Sequence, residues 1–289
     1  MVEKTNGWGK VATILICAVL FIVALCCLIP LWHVLISSIS DGQRLLAHEG
    51  VVFWPQGKVT LDGYRYVFRD SRILLGYANS LMYVAGQVLF GFVINVLGGY
   101  VLSRKPKLAP ALTIALVLTM MFSGGTVPTY MNVRRLGMVG TRWALIIPGC
   151  TNAIFVMMAV RAFAGVPEAT VEAAKLDGAG HIRTMIQVML PQAMGLISVS
   201  LINTGILAWN AWFQASIYVT TQQNLWPLQL WIRQISSEST DFLNYANPDY
   251  SRYLIQFVVI VIATLPILIV FPFFQKKLEQ GMMAGAVKE

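Results

Sequence analysis

Long apolar segments constrain the fold of this 289-residue chain more than any other feature. Six of them run for about 20 residues with almost no charge, the length that crosses a bilayer as an α-helix. The predicted spans cover residues 11–36, 73–102, 108–130, 143–160, 194–219 and 253–274. Because lipid offers the backbone no hydrogen-bond partners, each span must be helical. The sequence therefore predicts an all-α membrane protein with six transmembrane helices.

The overall composition agrees with this prediction. Hydrophobic residues make up 57% of the chain and charged residues only 12%, against roughly a quarter charged in a soluble domain. Lys4 and Lys10 precede the first span, but that span is too long for a signal peptide and no cleavage site follows it. We expect a retained helix and one membrane domain over residues 1–289.

The distribution of lysine predicts the orientation. Six spans place both termini on one side, and eight of the nine lysines fall on that side. When lysines and arginines are counted together, eleven fall on the side of the termini and ten on the other side, so their total does not indicate the orientation. The basic stretches at 103–107 and 275–280 follow the positive-inside rule, so both termini are predicted to be cytoplasmic, in a multi-pass protein of the bacterial plasma membrane. Anionic lipid accounts for the net charge of +8 without any nucleic acid.

The residues that usually carry catalysis or bind metals are sparse. The four cysteines all lie within predicted spans, at spacings that match no zinc site, and there are only three histidines. No nucleophile motif and no Walker phosphate loop occurs in the sequence. We expect no disulfide, no metal, no cofactor and no enzymatic activity in this chain.

A charged, helix-prone stretch lies between the fourth and fifth spans, on the predicted cytoplasmic side. Pro167 and Glu168 favour a helix start, and Gly178 with Gly180 breaks that helix. A second short helix is predicted from about residue 181 to 189, ended by Pro191. The pattern predicts two helices joined by a turn outside the membrane. An amphipathic connector lying on the membrane surface is the alternative.

The spacing of residues in this stretch resembles the EAA loop of permease subunits in bacterial ABC importers. Glu172-Ala173-Ala174 is followed after three residues by Gly178, and after nine more by Val188-x-Leu190-Pro191, with valine where isoleucine is more usual. Further stretches resemble the carbohydrate-uptake branch of that family, at residues 76–87, 98–104, 124–149 and 209–219. The chain is most similar to maltose-permease G-like subunits of Gram-positive oligosaccharide and polysaccharide importers.

This resemblance implies the ABC type I importer permease fold, with a core at residues 70–280 and a cytoplasmic coupling loop at 163–193. It also implies which residues couple to the ATPase: Glu172, Ala173, Ala174, Asp177, Gly178, Leu190 and Pro191. Of these, Glu172 and Gly178 are the expected coupling pair. A glutamate can pair with a cation across the interface, and a glycine lets the chain reverse. The alternative for Glu172 is an interaction with the dipole of its own helix.

The function implied by the resemblance is ATP-driven import of an oligosaccharide or polysaccharide fragment. The implied partners are a second homologous permease, two cytoplasmic ATPase subunits that hold ATP and magnesium, and an extracytoplasmic solute-binding protein. An ABC permease for another solute, such as phosphate or a peptide, is one alternative. A secondary transporter is another alternative, although the ionisable residues that such transporters carry near the middle of the membrane are almost absent from this sequence.

The fifth span carries the main candidates for the substrate path. Asn203, Asn210 and Gln214 are spaced by seven and four residues and would share one helical face. Aromatic and amide side chains together suit sugar rings, and the neighbouring aromatic candidates are Trp209, Trp212 and Phe213. A weaker face in the second span comprises Asn79, Tyr83 and Gln87. Helix–helix packing and interfacial anchoring are the alternatives for these residues.

Two features are predicted outside the membrane. The loop at 220–252 either contacts the solute-binding protein or folds back as a lid, and its aromatic residues are Trp226, Trp231, Tyr245 and Tyr250. Three arginines flank the fourth span and would attract an anionic sugar, or else contact lipid headgroups or a partner: Arg134, Arg135 and Arg142.

Overall fold

A computed structural model describes residues 7–104, 107–237 and 252–286 of the chain. Every regular element in these ranges is helical, and none of the residues described there forms a β-strand. The prediction of an all-α protein is confirmed.

The first half of the chain contains α1 (Gly7–Ser38), α2 (Gly42–Ala47), α3 (Asp62–Arg69), α4 (Ser71–Ser103), α5 (Ala109–Met121), α6 (Thr126–Arg135) and α7 (Trp143–Ile146). The second half contains α8 (Ala153–Ala164), α9 (Glu168–Leu176), α10 (His181–Arg183), α11 (Leu190–Trp209), α12 (Trp212–Tyr218), α13 (Leu228–Ser237) and α14 (Arg252–Ala286). A π-helical turn, Thr184–Met189, joins α10 to α11, and a 3₁₀ turn, Gln223–Leu225, precedes α13.

Four helical stretches are long and apolar enough to cross a membrane: Gly9–Ser38, Ser71–Ser103, His181–Trp209 and Leu254–Pro272. Two bent pairs also meet this test, α5 with α6 at 119° and α8 with α9 at 70°. The described helices therefore offer up to six crossings if each bent pair counts as one. By length and composition, the described helices thus offer four to six crossings.

The third predicted span is not one straight helix. It was expected to run over residues 108–130, but α5 ends at Met121 and α6 begins at Thr126. Gly125 precedes α6 with φ +83°, a left-handed conformation that a residue with a Cβ rarely adopts. The prediction of a continuous helix is wrong because a glycine turn interrupts the apolar run.

The fourth predicted span is also interrupted. Helix α7 ends at Ile146 and α8 begins only at Ala153, so residues 143–160 do not form one helix. Pro148 lies in the gap and has no N–H to continue a helical ladder. Asn152 then starts α8, because its Oδ1 accepts a hydrogen bond from the backbone N–H of Phe155 at 3.0 Å.

The fifth span begins and ends earlier than expected. Pro191 does not stop the preceding helix, which continues from His181 to Trp209. The π-helical turn directly before Pro191 is wider than an α-turn, which relieves the clash between the proline ring and the preceding turn. At its other end the helix stops at Trp209, and a new helix starts at Trp212. The predicted continuous helix over 194–219 is therefore wrong.

The chain forms two compact units, residues 1–70 with 234–264, and residues 71–233 with 265–289. In the first unit, a small core consists of Ile36, Leu45, Val52 and Phe257. His33 joins this core, since its Nδ1 accepts the backbone N–H of Val52 at 2.9 Å and its ring meets Phe257 edge-on. The prediction of a single permease domain, with its stated limits, stays a prediction.

The second unit is built on the mutual packing of α4, α8 and α11. Small residues let these helices approach closely. A Cβ on Gly99 of α4 would lie 2.5 Å from the Cβ of Ala159 on α8, so only glycine fits this contact. The core beside it consists of Val96, Ala159, Phe163, Val166, Val171, Met185, Met189, Ala193 and Ile197. Four of these, Val166, Val171, Met185 and Met189, lie between the end of α8 and the start of α11, so the charged stretch there is packed onto the bundle.

Candidate functional site

The stretch 167–191, called the coupling segment below, begins with a helix that ends in a specific hydrogen-bonded turn. Helix α9 starts after Pro167 and its C-cap is Asp177. The N–H of Gly178 donates to the carbonyl of Lys175 at 3.0 Å, and the N–H of Ala179 donates to the carbonyl of Ala174 at 2.9 Å. This pair of bonds is the Schellman motif, which needs a left-handed residue directly after the cap.

Gly178 supplies that conformation, with φ +79°. In the sequence pattern, Gly178 follows Ala174 by four residues. The structure explains this spacing, because the carbonyl of Ala174 accepts the hydrogen bond that closes the turn and Gly178 supplies the left-handed residue that the turn needs. Gly180, also expected to break the helix, has φ −69° and is an ordinary residue before α10. The turn depends on Gly178.

The predicted coupling residues divide between two faces of the segment. Glu172, Ala173, Asp177, Gly178 and Pro191 are exposed. Ala174 is only 8% exposed and Leu190 packs against the bundle core, so neither presents its side chain to a partner. Of the two alanines of the motif, only Ala173 is exposed, and the coupling role of Ala174 stays a prediction.

Apolar side chains accompany the exposed charge. Leu176 is 90% exposed at the end of α9, and Ile182 is 72% exposed on the far side of the turn. Among the residues described, Glu172 forms no ion pair. A rigid turn that displays two large aliphatic side chains beside unpaired carboxylates is suited to docking against another protein rather than to catalysis.

Helix α4 anchors the coupling segment. The hydroxyl of Tyr100 donates to the carbonyl of His181 at 3.2 Å and lies 3.4 Å from the Nδ1 of the same residue. One turn on, the Nη2 of Arg104 lies 2.8 Å from the Sδ of Met189, and its guanidinium lies 5.7 Å from the centre of the Tyr100 ring. Tyr100 also meets Phe163 of α8 edge-on at 5.9 Å.

Sequence reasoning missed this anchor. In the sequence, the stretch that contains Tyr100 and Arg104 indicates only the resemblance to the family. Nothing in the spacing of these two residues indicates that they contact residues more than 80 positions away. The contacts join the coupling segment to α4 and, through Tyr100, to α8.

The other end of α4 bears the weaker group of substrate-path candidates, and the chain's own backbone uses them. The Nδ2 of Asn79 donates to the carbonyls of Asn224 and Trp226 at 2.8 and 3.1 Å. The hydroxyl of Tyr83 donates to the carbonyl of Leu225 at 2.7 Å, and the Nε2 of Gln87 donates to the carbonyl of Leu145 at 2.8 Å. These side chains are buried and hold segments to α4.

The main substrate-path candidates are not aligned on one helix. Asn203 lies on α11, Asn210 lies in the break, and Gln214 lies on α12. The amides of Asn203 and Asn210 each donate to the carbonyl four residues earlier, at 2.9 Å. The expectation of a single polar face is wrong because the helix ends at Trp209.

The aromatic candidates take different positions. Trp209 is buried and meets Tyr77 edge-on at 5.5 Å. Trp212 lies under the guanidinium of Arg233, whose Cζ is 3.8 Å from the ring centre. Phe213 is exposed next to Trp212. Trp212 and Phe213 are thus available at the start of α12, whereas Trp209 is a packing residue.

The loop over 220–252 was interpreted either as a contact surface or as a lid. Trp226 and Trp231 are buried, with ring centres 4.7 Å apart, and the indole N–H of Trp226 donates to the carbonyl of Val219 at 2.8 Å. These two tryptophans therefore fold back onto their own unit and are not an exposed contact surface. Tyr245 and Tyr250 lie outside the described residues.

A group of arginines lies at the end of α4 opposite the coupling segment. This arginine face comprises Arg72, Arg134, Arg135, Arg142 and Arg233. Helix α4 has 33 residues and so is about 50 Å long, with Arg72 near one end and Tyr100 near the other. Arg72 lies 5.7 Å from the Trp231 ring centre, two residues before Arg233 on α13.

The loop before α7 and helix α6 belong to the same end. Tyr130 of α6 stacks on Tyr218 of α12 with ring centres 6.2 Å apart, and Arg134 follows Tyr130 by one turn. The N–H of Gly140 donates to the carbonyl of Tyr218 at 2.8 Å, which brings the loop before Arg142 to α12.

Comparison with known proteins agrees with this architecture. Residues 71–284 match the family described as "Binding-protein-dependent transport system inner membrane component". The chain is 29% identical over 287 residues to the polygalacturonan/rhamnogalacturonan transport system permease protein YtcP of Bacillus subtilis, covering 97% of this chain and 99% of the relative. It is 32% identical over 286 residues to the protein LplC of the same organism, covering 94% of each.

A solved structure is also similar. The crystal structure of a bacterial ABC transporter involved in the import of the acidic polysaccharide alginate superposes with a TM-score of 0.88 and 25% identity. The match covers 95% of this chain and 99% of that chain.

The fold and the anchored coupling segment define a membrane subunit of a transporter driven by another protein. The chain belongs to the family of binding-protein-dependent transport system inner membrane components. It is the multi-pass permease of an ABC importer, a transport subunit that carries no catalytic centre or cofactor of its own. ATP is hydrolysed by a separate subunit. The secondary-transporter alternative is thereby excluded.

Proposed function

We propose that this permease carries an oligosaccharide or polysaccharide fragment across the membrane, and that the coupling segment is the surface on which the ATPase acts. The observation that carries the coupling role is the exposed turn at Gly178, with Leu176 and Ile182 projecting from a segment anchored to α4. A rigid element fixed to the bundle at one end and exposed at the other transmits rigid-body motion.

The substrate class is supported by several relatives. Their names include a diacetylchitobiose uptake permease of Streptomyces coelicolor and an arabinooligosaccharides transport permease of Halalkalibacterium halodurans. A maltodextrin transport permease of Bacillus subtilis is similar over 94% of this chain. These relatives differ in the sugar they are named for, so they favour saccharide transport without specifying the sugar.

The assembly that follows from this proposal has four kinds of component. This chain pairs with a second homologous permease, two cytoplasmic ATPase subunits bind below them, and an extracytoplasmic solute-binding protein delivers the saccharide. Both termini and the coupling segment face the cytoplasm, in agreement with the lysine distribution. The arginine face then opens to the extracytoplasmic side.

The docking surface is tested by a pair of leucine variants. Leu176→Gln removes an exposed apolar side chain from the coupling segment, and Leu136→Gln makes the same change at a leucine that is 71% exposed near the arginine face. Burying a leucine side chain contributes roughly 1.5–3 kcal/mol. We therefore expect Leu176→Gln to weaken association of the ATPase about tenfold or more, and Leu136→Gln to leave it unchanged.

The measurement combines copurification of the ATPase with ATP hydrolysis by the reconstituted complex, with and without binding protein and a panel of oligosaccharides. Stimulation by one saccharide, lost in Leu176→Gln only, is the expected result. Equal behaviour of the two variants would contradict the docking role. Stimulation by a phosphate or peptide, with none by any saccharide, would support the other-solute alternative.

A further inference from the structure

Charge is distributed very unevenly along the second unit. Residues 71–233 contain only three carboxylates, Glu168, Glu172 and Asp177, and all three lie in the coupling segment. The arginine face, toward the other end of α4, has five guanidinium groups and no carboxylate from this range, although Asp70 precedes Arg72 by two residues. Clustered charge of one sign concentrates ligands of the opposite sign. This end of the unit therefore favours an anionic ligand.

Arg233 is held in a conformation suited to binding such a ligand. Its guanidinium stacks on Trp212 with Cζ 3.8 Å from the ring centre, and the Arg233 side chain is exposed. Stacking fixes the plane of the guanidinium through its face and leaves the N–H groups at its edge pointing outward. Those edge donors match the two oxygens of a carboxylate.

The surroundings of Arg233 suit a sugar ring as well as an anion. Phe213 adjoins Trp212, with ring centres 5.6 Å apart, and its ring is exposed at the start of α12. An aromatic face and an oriented guanidinium are thus adjacent, a combination that fits a sugar bearing a carboxylate.

We infer that the transported saccharide is acidic, composed at least in part of uronic acid residues, and that Arg233 stacked on Trp212 selects it by pairing with a sugar carboxylate. This inference rests on the proposed function, because it assigns a chemical class to the saccharide. The remaining arginines of the face act at longer range, by raising the local concentration of the anion.

The test compares an acidic saccharide with its neutral form on matched arginine variants. The probes are a short oligogalacturonate, which is anionic, and the same oligomer as its methyl ester, in which a methyl group on each carboxyl removes the charge. The variants are Arg233→Gln, Arg233→Lys and the control Arg161→Gln, which removes one exposed arginine from α8. Importer complexes are purified through a tag on this chain, and uptake and stimulated ATP hydrolysis are measured with the binding protein.

The expected result is stimulation of the wild type by the acidic oligomer. Arg233→Gln should raise its half-maximal concentration about tenfold, the order of effect of losing a charge-assisted hydrogen bond. Arg233→Lys, which keeps the charge but loses the planar fork, should lie between, and Arg161→Gln should match the wild type. Raising the ionic strength should weaken stimulation in the wild type, which supports the inference independently of any variant.

Four outcomes would overturn the inference. If the methyl ester stimulates and the acid does not, the saccharide is neutral and the proposed function stands without this refinement. If Arg233→Gln and Arg161→Gln behave alike with the acidic oligomer, or if Arg233→Gln loses the second permease on purification, Arg233 serves assembly instead. If no saccharide of either kind stimulates the wild type, the proposed function fails and this inference fails with it.

Discussion

The Schellman turn at Gly178 leads to a sharp prediction about the conformation of the backbone. Gly178 has φ +79°, and no neighbouring atom lies within 4 Å of the position that a Cβ would occupy. A substitution there meets no steric obstacle within the chain, so its cost is conformational. For a β-branched residue such as valine the left-handed conformation costs roughly 1–2 kcal/mol, whereas asparagine adopts it readily.

We therefore expect Gly178→Val to destabilise the turn and Gly178→Asn to preserve it. A cost of about 1–2 kcal/mol corresponds to a factor of roughly 5–30 in a population. The amide of Ala179, which bonds to the carbonyl of Ala174, should exchange its hydrogen faster by that factor in the valine variant only. Saccharide-stimulated ATP hydrolysis should fall roughly fivefold or more in Gly178→Val and stay near the wild-type rate in Gly178→Asn.

The measurements are hydrogen exchange of the coupling segment and ATP hydrolysis by the reconstituted complex. If asparagine and valine impair ATP hydrolysis equally, the ATPase tolerates no side chain at position 178. The explanation based on the φ angle of Gly178 is then refuted. If neither variant impairs hydrolysis despite faster exchange at Ala179, the turn is not needed for coupling.

Two further predictions concern α4. Tyr100→Phe removes the hydrogen bond to His181, worth about 0.5–1.5 kcal/mol, and should raise the number of ATP molecules hydrolysed per saccharide transported. The control Tyr77→Phe, at the other end of α4, should leave this ratio unchanged. Equal ratios in both variants would argue against the anchor. Gly99→Val forces α4 away from Ala159 and should lower the free energy of unfolding by about 1–3 kcal/mol, measured as a lower melting temperature of the detergent-solubilised complex. An unchanged melting temperature would contradict the close packing.

The elements that the sequence predicts correctly depend on local chemistry. Residues 73–102 are continuous in composition and form the single helix α4. The start of α9 at Pro167 and its end at Gly178 also follow from short-range rules, proline at a helix start and glycine after a cap. The exposed part of the coupling segment is therefore well predicted.

The incorrect predictions share a different cause. An apolar run indicates that a segment lies in lipid, but it does not indicate where the run bends. The breaks at Gly125 and Asn210 lie within apolar runs that hydropathy alone treats as continuous. The burial of Ala174 and Trp231 depends on packing partners elsewhere in the chain.

By itself, the sequence determined that the chain is a helical membrane protein, because charge-free runs of that length are stable only across a bilayer as helices. It also determined the coupling turn, because one left-handed glycine and the bonds around it span only a few residues. Only the tertiary structure decided that Tyr100 and Arg104 hold the segment, and that Arg233 stacks on Trp212. Those contacts join residues on different helical elements, and only the packing of those elements brings them within reach.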